Sequence, residues 1–123
     1  MTLKPFNTMT KRMESLTPQN EGEIGLYVCG PTVYDYSHIG HARTYIAFDV
    51  IVRYLRYRGY SVKYIVNITN VEDKIMNRAR EVGVDPVVLA SKFEEAFFED
   101  MKKLNVVKAD SYPRVSDLSL IHI

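Results

Sequence analysis

The fold is decided by residues 24–66, which read IGLYVCGPTVYDYSHIGHARTYIAFDVIVRYLRYRGYSVKYIV. A short apolar run over 24–29 ends in the turn Gly30-Pro31-Thr32, and this arrangement predicts a buried strand. Dense apolar side chains over 39–58 predict a long helix, and Val62–Val66 predicts a second strand. The pattern therefore predicts an α/β fold built on a βαβ unit, with its two strands parallel in one sheet.

Outside this unit, the sequence predicts a short edge strand within residues 3–7 and two further helices. One helix over 72–82 ends at Gly83, and the next begins after Asp85, an N-cap residue followed by Pro86. The apolar face of that last helix is predicted to contain Leu89, Phe93, Ala96, Phe97, Met101 and Leu104. Its solvated face is predicted to contain Glu94, Glu95, Glu99 and Asp100.

Length, composition and charge exclude several classes of protein. The chain has 123 residues, of which 46% are hydrophobic and 25% charged, values typical of one globular domain and not of a disordered chain. A net charge of +1 excludes a dedicated polycation. The single cysteine, Cys29, cannot form an internal disulfide, so no disulfide partner is expected and a cytoplasmic location is favoured. Neither a signal peptide nor an apolar run near the roughly 18 residues of a membrane span is present, so no membrane partner is expected.

Two histidines lie at the predicted start of the long helix. His38 and His41 flank Gly40 there, and a helix N-terminus attracts phosphate because its N–H groups are unpaired and carry partial positive charge. Gly40 would let a bulky ligand approach the backbone. The carboxyl ends of parallel strands meet at one edge of a sheet, so residues 29–41 and 67–73 should flank the same crevice. From the residues alone, two interpretations stay open: an anion site, or histidines that cap the helix.

Cys29 also has two interpretations. A free cysteine at the end of a core strand is commonly a small buried apolar residue. Its place before Gly30 at the ligand-binding end of the sheet also fits a reactive thiol or a metal ligand. No second cysteine accompanies it, so a zinc site formed wholly by this chain is not expected, since zinc takes four ligands or three plus a substrate.

Several motifs together resemble one enzyme family. His38-Ile39-Gly40-His41 is similar to the HIGH signature of class I aminoacyl-tRNA synthetases. Tyr27–Asp35 resembles the YVCGPTVYD element of cysteinyl-tRNA synthetases, and Phe6–Arg12 resembles their opening NTLTR segment. The resemblance extends over residues 3–117 in family order. It departs at residues 69–74, which read TNVEDK where the family usually has TDVDDK.

The resemblance implies a fold, a reaction and a set of site residues. Residues 1–117 would be the N-terminal part of a HIGH-type Rossmann catalytic domain. The family uses ATP, with Mg²⁺, to convert L-cysteine to cysteinyl-adenylate, and transfers the cysteinyl group to tRNA(Cys). The residues implied to be catalytic are His38 and His41, and those implied to bind ATP are His38, Gly40 and His41. The residues implied to bind substrate are Cys29, Gly30, Thr32 and Thr69. Cys29 would also bind Zn²⁺, with the other ligands outside this chain.

At the altered positions, Asn70 and Glu72, we expect no catalytic role. Two alternative functions stay open: the related cysteine:glucosaminyl-inositol ligase of mycothiol synthesis, and a non-catalytic nucleotide-binding fragment.

The last six residues, LSLIHI over 118–123, equal the translation of the transposase adaptor CTGTCTCTTATACACATC, so they are predicted to be a non-native tail. The family's KMSKS loop and tRNA-binding helices lie further downstream, so this chain alone is expected to be inactive and to bind zinc weakly.

Overall fold

A computed structural model describes residues 3–118. Its elements are, in chain order, β1 (Phe6–Asn7), β2 (Arg12–Met13), β3 (Glu23–Val28), α1 (Ile39–Tyr57), β4 (Ser61–Val66), α2 (Asp73–Val82), α3 (Pro86–Lys103) and α4 (Val115–Leu118). Strands β1 and β2 form a small antiparallel hairpin. The sequence predicted only the first of these two strands.

The predicted βαβ unit is confirmed. Strands β3 and β4 are parallel neighbours, with Glu23 opposite Ser61 and Val28 opposite Val66. Helix α1 connects them and packs its buried residues Tyr45, Val52 and Leu55 into the core. The helix ends before Gly59, whose φ of 88° is a backbone conformation that glycine adopts without strain.

A segment that the sequence did not predict as a strand extends the sheet beyond β4. Residues 110–115 run parallel to β4, with isolated bridges between Ile65 and Ser111 and between Ile68 and Arg114. Asp110 N–H donates to the Tyr64 carbonyl at 2.8 Å, and Ile68 N–H donates to the Pro113 carbonyl at 2.9 Å. The sequence did not predict this segment as a strand, because it contains Pro113 and lacks alternation of polar and apolar residues, a pattern that predicts a loop.

Helix α2 begins and ends within one residue of the prediction, and α3 begins where the sequence predicted. Gly83 caps α2 in a left-handed conformation, and the Asp85 carboxylate accepts from Val87 N–H at 2.8 Å at the start of α3. The α3 face that contains Phe93 and Phe97 is buried, and the Phe97 ring meets the Tyr45 ring of α1 edge to face at 5.1 Å. Among the helices within residues 3–118, none combines the length and apolarity needed to cross a bilayer.

One predicted surface residue is buried. Glu94 was placed on the solvated face of α3, yet only 8% of it is exposed. Its carboxylate binds the Arg114 guanidinium, with Arg114 Nε at 3.0 Å from Oε1 and 3.1 Å from Oε2. This hydrogen bonding raises the pKa of Arg114. The prediction failed because the partner lies 20 residues away, on the third strand-like segment.

The predicted tail falls mostly outside the described residues. Leu118 is the last residue of α4, and residues 119–123 are not among those that the structure describes. The domain boundary after residue 117 therefore stays a prediction.

The Glu94–Arg114 pair generates a stability prediction. Arg114→Met leaves the Glu94 carboxylate, whose side chain is 11% exposed, without its charged partner. We expect the free energy of unfolding to fall by about 1–3 kcal/mol, measured by urea denaturation. Arg78→Met is the matched control, because its partner Glu81 is 66% exposed, and it should change stability by less than about 0.5 kcal/mol. Equal losses in the two variants would contradict a structural role for the buried pair.

Candidate active site

The carboxyl ends of β3 and β4 lie in direct contact. Gly30 follows β3, and a Cβ atom built there would lie 1.4 Å from the carbonyl oxygen of Asn67, which follows β4. The Asn67 side chain reinforces this contact, because its Oδ1 accepts from Gly30 N–H at 2.9 Å and from the Tyr27 hydroxyl at 2.8 Å. Only glycine fits at position 30, and this close approach fixes where the following turn begins.

The turn after Gly30 is fixed by backbone hydrogen bonds to Thr69. Thr69 N–H donates to the Pro31 carbonyl at 3.0 Å, and Val33 N–H donates to the Thr69 carbonyl at 3.1 Å. The two segments therefore continue the parallel pairing past the ends of the strands, with a bridge between Thr32 and Thr69. Both segments lie at the same edge of the sheet as predicted, but they pair directly with each other, and residues 67–73 do not line the pocket described below.

His38 and His41 cap helix α1 reciprocally. Nδ1 of His38 accepts from Gly40 N–H at 3.0 Å, and Nδ1 of His41 accepts from His38 N–H at 3.3 Å. The two imidazoles stack with their centroids 3.9 Å apart and an interplanar angle of 22°. Because each Nδ1 is used as an acceptor, each neutral ring carries its proton on Nε2. The pair therefore offers two N–H donors that helix capping does not consume.

Gly40 has a second structural reason to be glycine. A Cβ at this position would lie 2.8 Å from Cε1 and 2.9 Å from Nδ1 of His38. The capping ring therefore occupies the space that a side chain would need. The missing side chain therefore makes room for the His38 cap, and its role in the approach of a ligand stays a prediction.

The surroundings of His41 favour the neutral form of its ring. Partial burial lowers the pKa of His41, and the nearby charge of protonated His38 lowers it further. A protonated Nδ1 also cannot accept the capping hydrogen bond. At neutral pH the His41 ring is therefore an uncharged donor through Nε2–H.

A pocket of about 320 Å³ opens beside this histidine pair. Its lining combines the turn after β3 with the first turns of α1 and α2: Cys29, Gly30, Pro31, Thr32, Tyr34, His41, Thr44, Tyr45 and Lys74. Four of the predicted site residues, Cys29, Gly30, Thr32 and His41, are thus brought together. Three others are not in the lining: His38, Gly40 and Thr69. The first two lie in the capping turn, and Thr69 pairs through its backbone with Pro31 and Val33.

Cys29 is exposed, so the interpretation as a buried apolar residue is wrong. Its carbonyl accepts from the Tyr45 hydroxyl at 3.3 Å, and burial raises the pKa of Tyr45, which keeps the phenol protonated as a donor. The thiol is therefore free to meet a ligand. Within residues 3–118, no cluster of three or more His, Cys, Asp or Glu side chains could hold a metal ion. Cys29 could supply one soft ligand to a metal ion, and the described residues do not form a complete metal site around it.

Sequence reasoning missed three contributors: Tyr45, Asn67 and Lys74. Tyr45 was assigned to the core, and Asn67 was placed at the crevice without a role. Lys74 lies one residue beyond the predicted crevice segment, in the first turn of α2, and no local pattern distinguished it from the other lysines. The altered position Asn70 is structural, because its amide donates to the Ser116 hydroxyl at 2.8 Å and accepts from Ser116 N–H at 3.1 Å.

Comparison with known proteins places this arrangement in a family. A family profile described as "tRNA synthetases class I (C) catalytic domain" matches residues 15–121. The chain belongs to this family of class I tRNA synthetases. The match extends past residue 117 and overlaps the predicted tail.

Its relatives and structural neighbours agree with the family. The chain is 61% identical over 117 residues to a cysteine–tRNA ligase of Pyrococcus horikoshii, covering 95% of this chain and 25% of the relative. It is 50% identical over 117 residues to a cysteine–tRNA ligase of Nostoc sp., covering 95% of this chain and 24% of the relative. A Mycobacterium tuberculosis methionyl-tRNA synthetase in complex with methionyl-adenylate superimposes with a TM-score of 0.68 at 26% identity, over 79% of this chain and 18% of that one. The chain spans about a quarter of the length of the curated relatives.

The contact between the strand ends predicts a sharp difference between two glycines of one segment. Gly30→Ala places a methyl group on the Asn67 carbonyl and forces the strand ends apart, so it should lower the free energy of unfolding by about 1–3 kcal/mol or more. Gly25→Ala within β3 meets nothing within 4 Å and should be neutral or stabilising. Urea denaturation of both variants checks this, and a Gly30→Ala variant as stable as the parent would refute the contact.

The capping box predicts opposite outcomes for two substitutions of His38. Asn is a preferred N-cap residue and places an acceptor near the position of Nδ1, so His38→Asn should nearly preserve stability. Gln carries its amide one bond further out and loses the cap, so His38→Gln should lower the free energy of unfolding by about 1 kcal/mol. Thermal and urea unfolding measure both. If Asn and Gln have equal effects, His38 does not act as the cap.

Proposed function

We propose that this chain forms one wall of the active site of a cysteine–tRNA ligase, in which L-cysteine is activated by ATP and transferred to tRNA(Cys) in the cytoplasm. The observation that carries the proposal is the meeting of His41 and Cys29 in one pocket at the carboxyl ends of parallel strands. Family membership and the names of the relatives support it. The remaining walls, and the surface that binds tRNA, would come from the three quarters of the relatives' length that this chain does not span.

The first step is in-line attack of the cysteine carboxylate on the α-phosphorus of ATP, with pyrophosphate leaving. The nucleophile is already ionised, so this step needs positioning and stabilisation of charge more than a general base. His38 and His41 would donate from Nε2 to phosphate oxygens as negative charge moves onto pyrophosphate. Both Nε2–H donors are held in place by the helix cap, so they need no reorganisation during the reaction. Gly40, whose missing side chain leaves room for the His38 ring, would lie beside the nucleotide, and Mg²⁺ would accompany ATP.

Cys29 is the residue that would distinguish the substrate. Cys29 is exposed and lines the pocket with Gly30 and Thr32, where the side chain of the amino acid would lie. Zn²⁺, when bound by Cys29 and ligands from outside residues 3–118, supplies a soft centre that prefers a thiolate to a hydroxyl. Selectivity for cysteine over serine would follow from this difference in softness, because the two side chains differ little in shape. Thr69 would act on the substrate side by holding the turn that carries Thr32.

The proposal favours the synthetase over the mycothiol-pathway ligase and over a non-catalytic nucleotide-binding fragment. The relatives at 50–61% identity are named cysteine–tRNA ligases, and the match covers 95% of this chain.

We also propose that residues 1–117 are native and that residues 118–123 derive from an adaptor. The nucleotide sequence of the reading frame tests this assignment.

A chimera tests the function directly. The matching segment of the Pyrococcus horikoshii ligase is replaced by this chain's own residues, and the product is assayed for ATP–pyrophosphate exchange at a temperature where both parts are folded. We expect exchange that depends on L-cysteine and is absent with L-serine. His41→Ala should lower the exchange rate about 100-fold or more, which corresponds to the loss of one donor to the transition state, about 2–4 kcal/mol.

Arg78→Met in the same chimera is the control, because Arg78 lies outside the pocket lining and pairs with Glu81 on α2. It should leave exchange unchanged. A chimera that folds but shows no cysteine-dependent exchange would contradict the proposed function.

A further inference from the structure

The pocket contains one residue with a permanent charge. Its lining includes Lys74 and no acidic side chain. Within residues 3–118, no carboxylate oxygen lies within the 4.0 Å of a salt bridge to Lys74, although other basic residues, such as Arg53 and Arg78, are paired in this way. Among the described residues, the pocket therefore has a basic side chain and no acidic one in its lining, and this favours an anionic ligand.

Lys74 and His41 reach the pocket from different helices. Lys74 lies in the first turn of α2, which begins at Asp73, whereas His41 lies in the first turn of α1. Its Nζ lies 5.8 Å from the centroid of the Tyr34 ring, a cation–π contact that draws the ammonium towards the turn after β3. Tyr34 is in turn fixed by the backbone pairing of Val33 with Thr69. The ammonium thus lies beside the turn after β3, which is held by its backbone pairing with Thr69.

We propose that Lys74 binds an oxyanion of the pocket ligand, a carboxylate or a phosphate, in the pocket that it lines together with His41. The identity of that ligand rests on the proposed function. In cysteine activation a carboxylate must approach an α-phosphate, and the two like charges repel each other. An ammonium between them lowers this repulsion, and lysine acts as a compact point charge with three donors. His41 is a neutral donor and cannot supply this charge.

Binding to the full 123-residue chain tests the proposal without requiring activity. Three probes are titrated and followed by NMR: inorganic pyrophosphate, L-cysteine and cysteamine, which lacks the carboxylate. Lys74→Met removes the charge and Lys74→Arg keeps it. Lys92→Met is the matched control, because Lys92 Nζ also lies 5.8 Å from a tyrosine centroid, that of Tyr36, but does not line the pocket.

We expect Lys74→Met to weaken binding of pyrophosphate or L-cysteine about tenfold or more, and Lys74→Arg and Lys92→Met to bind as the parent does. Weaker binding of L-cysteine with unchanged binding of cysteamine identifies the carboxylate as the partner. Weaker binding of pyrophosphate to Lys74→Met identifies a phosphate group as the partner of Lys74. The proposal is overturned if the parent chain binds none of the anionic probes, or if Lys74→Met binds both as tightly as the parent.

The chimera separates this inference from the proposed function. A chimera without exchange, together with intact oxyanion binding that depends on Lys74, would count against cysteine activation and not against the Lys74 site. An active chimera whose KM values for cysteine and ATP are unaffected by Lys74→Met would overturn the role of Lys74 and leave the function standing.

Discussion

The contact between Gly30 and the Asn67 carbonyl is the constraint on which the site depends. Parallel pairing of β3 with β4 brings the two strand ends to the same edge, and the absence of a side chain at position 30 lets the backbones touch. Everything in the pocket is placed relative to this contact. Cys29 precedes it, the turn to Val33 follows it, and the Thr69 backbone continues the pairing beyond it.

The histidine pair shows how one residue can serve both the fold and the chemistry. The Nδ1 atoms are consumed in capping α1, and this leaves the Nε2–H groups as donors of fixed direction. The helix would otherwise begin with unpaired N–H groups, so the cap contributes to stability while it sets the tautomer. The proposed anion-binding groups need no separate scaffold, because they are themselves the start of the helix. The two interpretations offered by the sequence, a cap and an anion site, are therefore compatible.

Patterns local in sequence predicted most of the fold. The strand over 24–29, the caps at Asp85 and Gly83, and the HIGH-like turn each carry their signal within a few residues, so they could be read directly. Interactions between distant residues were missed. The burial of Glu94 depends on Arg114, and the third strand-like segment depends on β4, which no local pattern indicates. The same holds in the site, where Lys74 is recognised only when α1 and α2 are seen to face one pocket.

The central claim, that the cap of α1 uses both Nδ1 atoms as acceptors and leaves two Nε2–H donors for an anion, is tested most directly by long-range ¹H–¹⁵N NMR of the histidine side chains in the 123-residue chain. The account predicts that His38 and His41 both carry the proton on Nε2 and leave Nδ1 unprotonated near neutral pH, and that added pyrophosphate shifts the Nε2 resonances more than those of Nδ1. A proton on Nδ1 of either ring would contradict the account.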